Sequence, residues 1–303
     1  MRFSTMIWPH SASTIDTVVT LAGLAEDSGF DSVYIGDSQM IWHDVYVALT
    51  ACAYNTRRVR LGTGVTNTVT RHPAVTVNAF TSLNMVSGGR AVCGVGAGDS
   101  AVRTAGLVPA KLDQMRQRIE FMRALFRGEE VDALPPAEGA GRVVWGQEKR
   151  VRVVGTETWG RVPIEFAVMS PKSARVAGMI CDGVIVDGHM GGNAEGVHAT
   201  VAAVREGAAA AGRDLEGFRI IAAIEGAIDD ERVVAFDQVR QTAARNIARK
   251  QWLPDTLGVE HADVVRSVTE NYRFYQHLDR TARHRELVPD AVVMKCCIAG
   301  TPQ

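Results

Sequence analysis

The chain has 303 residues, 46% of them hydrophobic and 22% charged, with a formal net charge of −1 at pH 7. That length accommodates one large α/β barrel or two ordinary domains, and the composition is that of a globular protein with a sizeable core. Near-neutral charge gives no global attraction to nucleic acid or to an anionic membrane, so a charged ligand must be met locally.

The opening MRFSTMIWPH lacks a basic segment followed by a long apolar core, and no uncharged apolar run reaches the ~20 residues of a membrane helix. Short apolar, β-forming runs recur along the chain: Phe3–Trp8, Ser32–Ile35, Val59–Leu61, Ala91–Val95, Ile164–Val168, Gly183–Val186, Phe218–Ile224 and Ala291–Ile298. Helical patterns at Ile15–Ser28, Leu112–Phe126, Ser173–Ile180 and Ala194–Ala211 lie between most of them, which predicts parallel strands joined by crossovers. Eight such runs predict an α/β TIM (β/α)8 barrel, read as a single domain over 1–303. Uneven spacing marks two insertions. In 128–162, Arg142–Trp145 and Lys149–Val154 alternate and are expected to pair as an antiparallel hairpin. Residues 253–289 are polar and helical in character, and the closing AGTPQ reads as a loop opening an eighth outer helix that the chain lacks. Cys52, Cys93, Cys181, Cys296 and Cys297 show neither metal spacing nor a secreted disulfide framework, which predicts a cytoplasmic protein without a metal.

The densest chemistry lies in Arg57–Ser100, a complete βαβ unit. Its strands end in Gly62, Gly64, Gly94, Gly96 and Gly98, Pro73 suits a first helical turn, and Gly88 and Gly89 stop the helix. Glycines at a strand's carboxyl end let a ligand approach the backbone, so the unit predicts a small-molecule site. In GVGAGD, Gly94–Asp99, an aspartate stands where a dinucleotide fingerprint needs its third glycine. A methyltransferase-like loop fits the spacing better, but such a loop opens its fold and this one follows three strand-helix units. At VMSPKS, Ser170 can cap a helix that Pro171 begins, and Ser173, Lys172 and the free N–H groups also suit a phosphate. Asp37 and Asp99 end strands on the face where barrel enzymes place their chemistry, and each is either a proton donor or a turn aspartate. His189 follows the sixth strand as a candidate acid or base, His72 reads as a helix cap, and Glu225 is a candidate by position. No H-E-x-x-H or G-x-S-x-G motif is present. The basic run Arg245–Lys250 either steers an acidic tail or substrate or is a solvated helix face, and the latter is the expectation.

Four ordered stretches carry a resemblance: GFDSVYIGDSQ at 29–39, RLGTGVTNTVTRHPAVT at 60–76, LNMVSGGRAVCGVGAGDS at 83–100 and MSPKSARVAGMICDGVIVDG at 169–188. The chain resembles the luciferase-like flavin-dependent oxidoreductases, especially their methylenetetrahydromethanopterin reductase-like branch. The resemblance implies a TIM barrel binding FMN or coenzyme F420 at the carboxyl face of its strands. It implies a backbone bulge behind the ring, often a non-proline cis peptide, at Gly64 and Val65 with Thr66 and Asn67 beside them. Asp37 and Gly96, Ala97, Gly98 and Asp99 would flank the ring, and Ser170, Lys172 and Ser173 would hold its phosphate. Two departures stand out: Ser38 occupies the place of a histidine found in several coenzyme F420 enzymes, and FSTMIW holds no acid where the methanopterin reductases share a glutamate. The expectation is therefore a two-component monooxygenase using reduced FMN on a small organic substrate, supplied by a separate flavin reductase. Coenzyme F420-dependent hydride transfer, with Asp37, Asp99 or His189 giving a proton, is the rival, and a non-catalytic flavin-binding protein the third reading. The family also implies a homodimer.

Overall fold

The computed structural model describes residues 1–9, 13–134, 148–156, 160–187, 194–249, 257–276 and 279–302. Parallel strands β1 (Ser4–Ile7), β2 (Ser32–Ile35), β3 (Arg60–Thr63), β5 (Ala91–Gly96), β8 (Ile164–Val168), β9 (Gly183–Asp187) and β10 (Arg219–Ala223) follow one another in a single sheet, with β4 (Thr66–Asn67) added beside β5. The short two-residue strands β6 (Val131–Asp132) and β7 (Arg150–Val151) pair antiparallel outside it. Every residue of β2 and β5 is buried, as expected of apolar parallel strands covered on both faces.

Side chains at the amino ends show that this sheet curls in the TIM-barrel manner. Arg219 of β10 donates to Asp31 Oδ2 at 2.7 Å and to Ser32 Oγ at 3.1 Å, although β10 and β2 lie far apart in strand order. Across the interior, Tyr34 donates its hydroxyl to Glu165 Oε2 at 2.7 Å, and Arg219 Nε lies 3.2 Å from Glu165 Oε1. Arg60 approaches the same carboxylate at 3.8 Å, so a fully buried acid ties β2, β3, β8 and β10 together. Burial pushes the Glu165 carboxyl up to about 7.

The helices follow from their caps. Thr14 caps α1 (Ile15–Asp27), and Asp44 caps α2 (Val45–Asn55), the helix of the second strand-helix unit. His72 Nδ1 accepts from Ala74 N at the start of α3 (Pro73–Ser87), and Gly88, with φ of 67°, ends it. Near the end of α1, Glu26 accepts the N–H groups of Arg57, Arg58 and Val59 at 2.6 to 3.0 Å. Burial alone would raise its pKa, but these bonds hold it below the ordinary range. Further along come α4 (Ser100–Thr104), α5 (Leu112–Phe126), α6 (Pro171–Ile180), α7 (Ala194–Ala210), α8 (Arg232–Arg249), α9 (Ala262–Asn271) and α10 (Asp290–Cys296).

Two expectations are corrected here. The run Ala291–Ile298 is not the eighth strand: it is mostly α10, because Pro289 and Asp290 start a helix and Val292 and Val293 bury one face. The strand that follows, β12 (Ile298–Gly300), pairs in parallel with β11 (Gly226–Ile228), apart from the main sheet. In the first insertion Arg150–Val151 does pair antiparallel, but its partner is Val131–Asp132. Arg142–Trp145 lies outside the described residues.

Apolar packing forms two clusters. The larger fills the space between the sheet and helices α1, α2, α3, α5, α6 and α7; the smaller joins α8, α9, α10 and β12, including Phe236, Ile247, Leu257 and Val292. No helix among the described residues is long and apolar enough to cross a membrane. None of the five cysteines forms a disulfide.

Candidate active site

Parallel register brings the carboxyl ends of the strands to one face. Ile7, Ile35 and Thr63 align across β1, β2 and β3, and Thr66 and Asn67 pair with Val95 and Gly96 of β5. Between β3 and β4 the Gly64–Val65 peptide bond is cis. This bulge rests on the glycines of β5: a Cβ on Gly94 would lie 2.0 Å from the Thr63 carbonyl oxygen, and one on Gly96 would lie 2.7 Å from Val65 Cγ2. Gly98, with φ of 78°, leaves no room for a side chain beside Asn67 and Val102. The two glycine loops picked out in the sequence are therefore one packed unit.

Asp37 sits against that unit, buried, with Thr66 Oγ1 donating to its Oδ2 at 2.6 Å. Burial raises its pKa; the Thr66 bond and Arg71 oppose this, and Asp44 adds to it. The adjacent Ser38 is buried and shares a 2.6 Å hydrogen bond with Ser100 Oγ at the start of α4. Serine in place of histidine consequently joins the strand-two loop to the strand-four loop.

Several buried polar atoms here lack a hydrogen-bond partner. Asn67 Oδ1 accepts from Val69 N, Thr70 N and Thr70 Oγ1, leaving Nδ2 without an acceptor. Thr68 Oγ1 and Tyr46 OH are also unsatisfied. Such groups cost about 1–3 kcal/mol each when left buried and unpaired, so their concentration at a strand-end face is the mark of a ligand's place. A planar heterocycle with polar edges and a phosphate arm fits these groups, since Asn67 offers a donor and the bulge a backbone wall.

The expected phosphate turn is a well-formed cap. Ser170 Oγ accepts from Ser173 N at 3.2 Å, and Ser173 Oγ accepts from Ser170 N and Met169 N. Both hydroxyls are engaged in the capping box, while the exposed Lys172 is the cation at this helix start. His189 lies outside the described residues, and His72 caps α3.

The basic run at the end of α8 departs from its expectation. Arg245 and Arg249 are not solvated: their side chains are 7% and 21% exposed. One helical turn apart, they share a face of α8, so burial of that face takes both inward. Arg245 pairs with Glu225 just beyond β10 and lies 5.0 Å from the Trp8 ring centre just beyond β1. Asn246 Nδ2 donates to Glu225 Oε2 at 2.8 Å. Arg249 pairs with Asp99, which also accepts from Arg103 Nε at 2.9 Å. Asp99 thus anchors two arginines and makes no side-chain cap on α4. Their spacing of four residues was the available signal, but a charged helical stripe reads as solvent-facing without its tertiary neighbours.

A curled parallel α/β sheet with the carboxyl ends of its strands on one face defines a TIM-barrel-type scaffold. The chain belongs to the luciferase-like monooxygenase family, whose model matches residues 1–303. It is 30% identical over 290 residues to a 5,10-methylenetetrahydromethanopterin reductase of Methanolobus tindarius, covering 93% of this chain and 82% of that one. It is also 30% identical to an F420-dependent glucose-6-phosphate dehydrogenase of Nocardia farcinica, over 77% of this chain and 71% of the other. Among solved structures, the coenzyme F420-dependent tetrahydromethanopterin reductase of Methanopyrus kandleri superposes with a TM-score of 0.75 at 23% identity, over 99% and 86% of the two chains. The FMN-bound oxygenating constituent of 3,6-diketocamphane monooxygenase from Pseudomonas putida gives 0.64 at 16% identity, over 100% and 85%. The chain is accordingly a luciferase-like oxidoreductase.

Proposed function

We propose that this oxidoreductase transfers a hydride between coenzyme F420 and a small organic substrate. The observation that carries this reading is the bulge at Gly64–Val65 seated on Gly94 and Gly96, with the buried Asn67 Nδ2 beside it in need of an acceptor. Coenzyme F420 is favoured over FMN, the first expectation from sequence, because relatives near 30% identity bear reductase and F420-dependent dehydrogenase names, whereas the FMN-bound structure is 16% identical.

When bound, coenzyme F420 supplies a deazaflavin ring that exchanges hydride. Gly64, Val65, Thr66 and Asn67 back that ring, and Gly96, Ala97 and Gly98 form the adjoining wall. Lys172, with Ser170 and Ser173 fixing the helix start, meets the phosphate through its charge. Asp37 is assigned the proton that balances the hydride, because it is buried against the glycine unit and Thr66 orients its carboxyl. Asp99 holds Arg103 and Arg249 in place and is assigned no proton transfer.

The deciding measurement is equilibrium binding of coenzyme F420 and of FMN, followed by reoxidation of the reduced complex with and without oxygen. Tight coenzyme F420 binding with oxygen-independent turnover is expected. Preferential FMN binding with oxygen-dependent turnover would restore the monooxygenase and its reductase partner, and binding of neither sinks both.

A further inference from the structure

The second insertion buries a histidine that the site does not use. His284 is 3% exposed and Gln241 of α8 is 2% exposed. Gln241 Nε2 donates to the Gln276 carbonyl oxygen at 2.8 Å, and the same nitrogen lies 3.0 Å from His284 Nε2. A carbonyl oxygen only accepts, so the Gln276 bond fixes which end of the amide carries the protons, and Gln241 Oε1 is left buried without a partner. With an N–H2 group before it, His284 Nε2 must accept: the imidazole is neutral and carries its proton on Nδ1. The Tyr272 ring packs on the imidazole, with 5.1 Å between ring centres. Gln276 ends a single helical turn, Phe274–Gln276, from which Tyr275 donates its hydroxyl to the Thr104 carbonyl oxygen at 3.3 Å. Thr104 ends α4, whose first residue Ser100 holds Ser38 beside Asp37. One side-chain amide thus ties His284 to a turn that rests on the wall of the candidate site.

A proton on His284 Nε2 would set an N–H against the Gln241 N–H2 group. Turning the amide relieves that clash by bringing Oε1 round to accept, but it takes the donor away from Gln276, so the tie breaks either way. A cleft of about 510 Å3 borders His284 and Gln276 and opens the ring to protons from solvent. The charged and titratable groups facing the ring are Asp279, Arg283 and Glu286 on its own segment, with Tyr272 and Arg273 just beyond α9, while α8 presents the neutral Gln241. We propose that His284 is the latch of a pH-sensitive strap: neutral, it holds the 274–276 turn on α4 through Gln241, and protonated, it lets the turn go and frees that wall of the site. Burial holds the imidazole below the ordinary histidine range; Asp279 opposes this and Arg273 adds to it. The tie is therefore complete above pH 6.5 and is lost as pH falls through the lower value of the folded protein. Its consequence for a cofactor rests on the functional reading above, whereas the latch itself does not.

Hydrogen–deuterium exchange on the full-length protein at about pH 7.5 and about pH 5, corrected for the intrinsic pH dependence of exchange, reads the latch directly. Protection over residues 272–276 and over α4 is expected to fall by about fivefold or more at the lower pH. H284Q supplies an acceptor that does not titrate and is expected to stay protected at both values. Q241L removes the donor and is expected to be unprotected at both. Nitrogen-15 NMR of the wild-type imidazole, assigned through its contact with Tyr272, needs no variant and is expected to show Nε2 without a proton at the higher pH. Wild-type protection that does not change with pH, a fall of the same size in H284Q, or a proton on Nε2 at the higher pH overturns the proposal. Coenzyme F420 is expected to dissociate several-fold faster from wild type at the lower pH and at one rate from H284Q; the same pH dependence in both overturns the strap's role at the site. No binding of coenzyme F420 at either pH strikes the functional reading instead, and the exchange result still decides the latch.

Discussion

The two ends of the curled sheet are both polar and both buried, yet they are built to opposite purposes. At the amino end Glu165, Tyr34, Arg60, Arg219 and Asp31 engage one another across the interior from β10 to β2, with Glu165 Oε1 held by the ion pairs to Arg60 and Arg219 and by no hydrogen bond. At the carboxyl end Asn67 Nδ2, Thr68 Oγ1 and Tyr46 OH have no partner, and Asp37 rests on a single threonine. Groups that hold one another across the sheet stabilise it, whereas the unpaired groups at the carboxyl end are where we propose a ligand, in line with the division of TIM barrels into a stability face and a chemistry face.

Four measurements would sharpen or break this contrast. Glu165→Ala removes the shared acceptor of the amino-end network and should cost about 3–5 kcal/mol in urea unfolding, with refolded protein keeping its cofactor affinity. A small loss would mean that the network is not what holds the curled sheet. Asp37→Asn keeps the shape and an acceptor for Thr66 but has no proton to give, so kcat/KM should fall by about 10²-fold or more with little loss of stability. Equal falls in activity and stability would place Asp37 with the structural group. Asn67→Ala should weaken cofactor binding about tenfold, and it should also lower the unfolding free energy by about 1–3 kcal/mol, because Val69 N, Thr70 N and Thr70 Oγ1 lose the acceptor that Oδ1 gives them. Last comes the pH dependence. The Glu165 carboxyl sits at about 7 when folded, above its ordinary 4.5, so the folded state holds a proton that the unfolded chain releases. Its contribution is full below pH 4.5 and is lost as pH rises through 7, at up to about 1.4 kcal/mol per unit. Glu165→Gln, which mimics the neutral acid, should flatten unfolding curves over that window; a slope identical to wild type would show that Glu165 does not titrate there.

Much of this was legible in the order of residues, for reasons that are local. Strands such as Ser32–Ile35 and Ile164–Val168 are short apolar runs closed by turn residues, and Pro73 and Gly88 bound a helix through their own backbone preferences. Ala291–Ile298 was misread because an apolar run of that length suits either a strand or a buried helix, and Pro289 and Asp290 decided for the helix. Arg245 and Arg249 were misread for a different reason: their partners Glu225 and Asp99 stand 20 and 150 residues away in sequence. No local rule connects such distances.

By itself, then, the sequence determined the alternation of strands and helices, the glycine-ended loops after β3 and β5 and the helix start at Ser170, because propensity, capping and close backbone approach act over a few residues. Tertiary structure alone decided that Gly94 and Gly96 seat the Val65 bulge, that Asp37 is buried against Thr66 and that α8 pairs Arg245 with Glu225 and Arg249 with Asp99. Burial and long-range charge pairing exist only once the sheet has curled and brought distant loops onto one face.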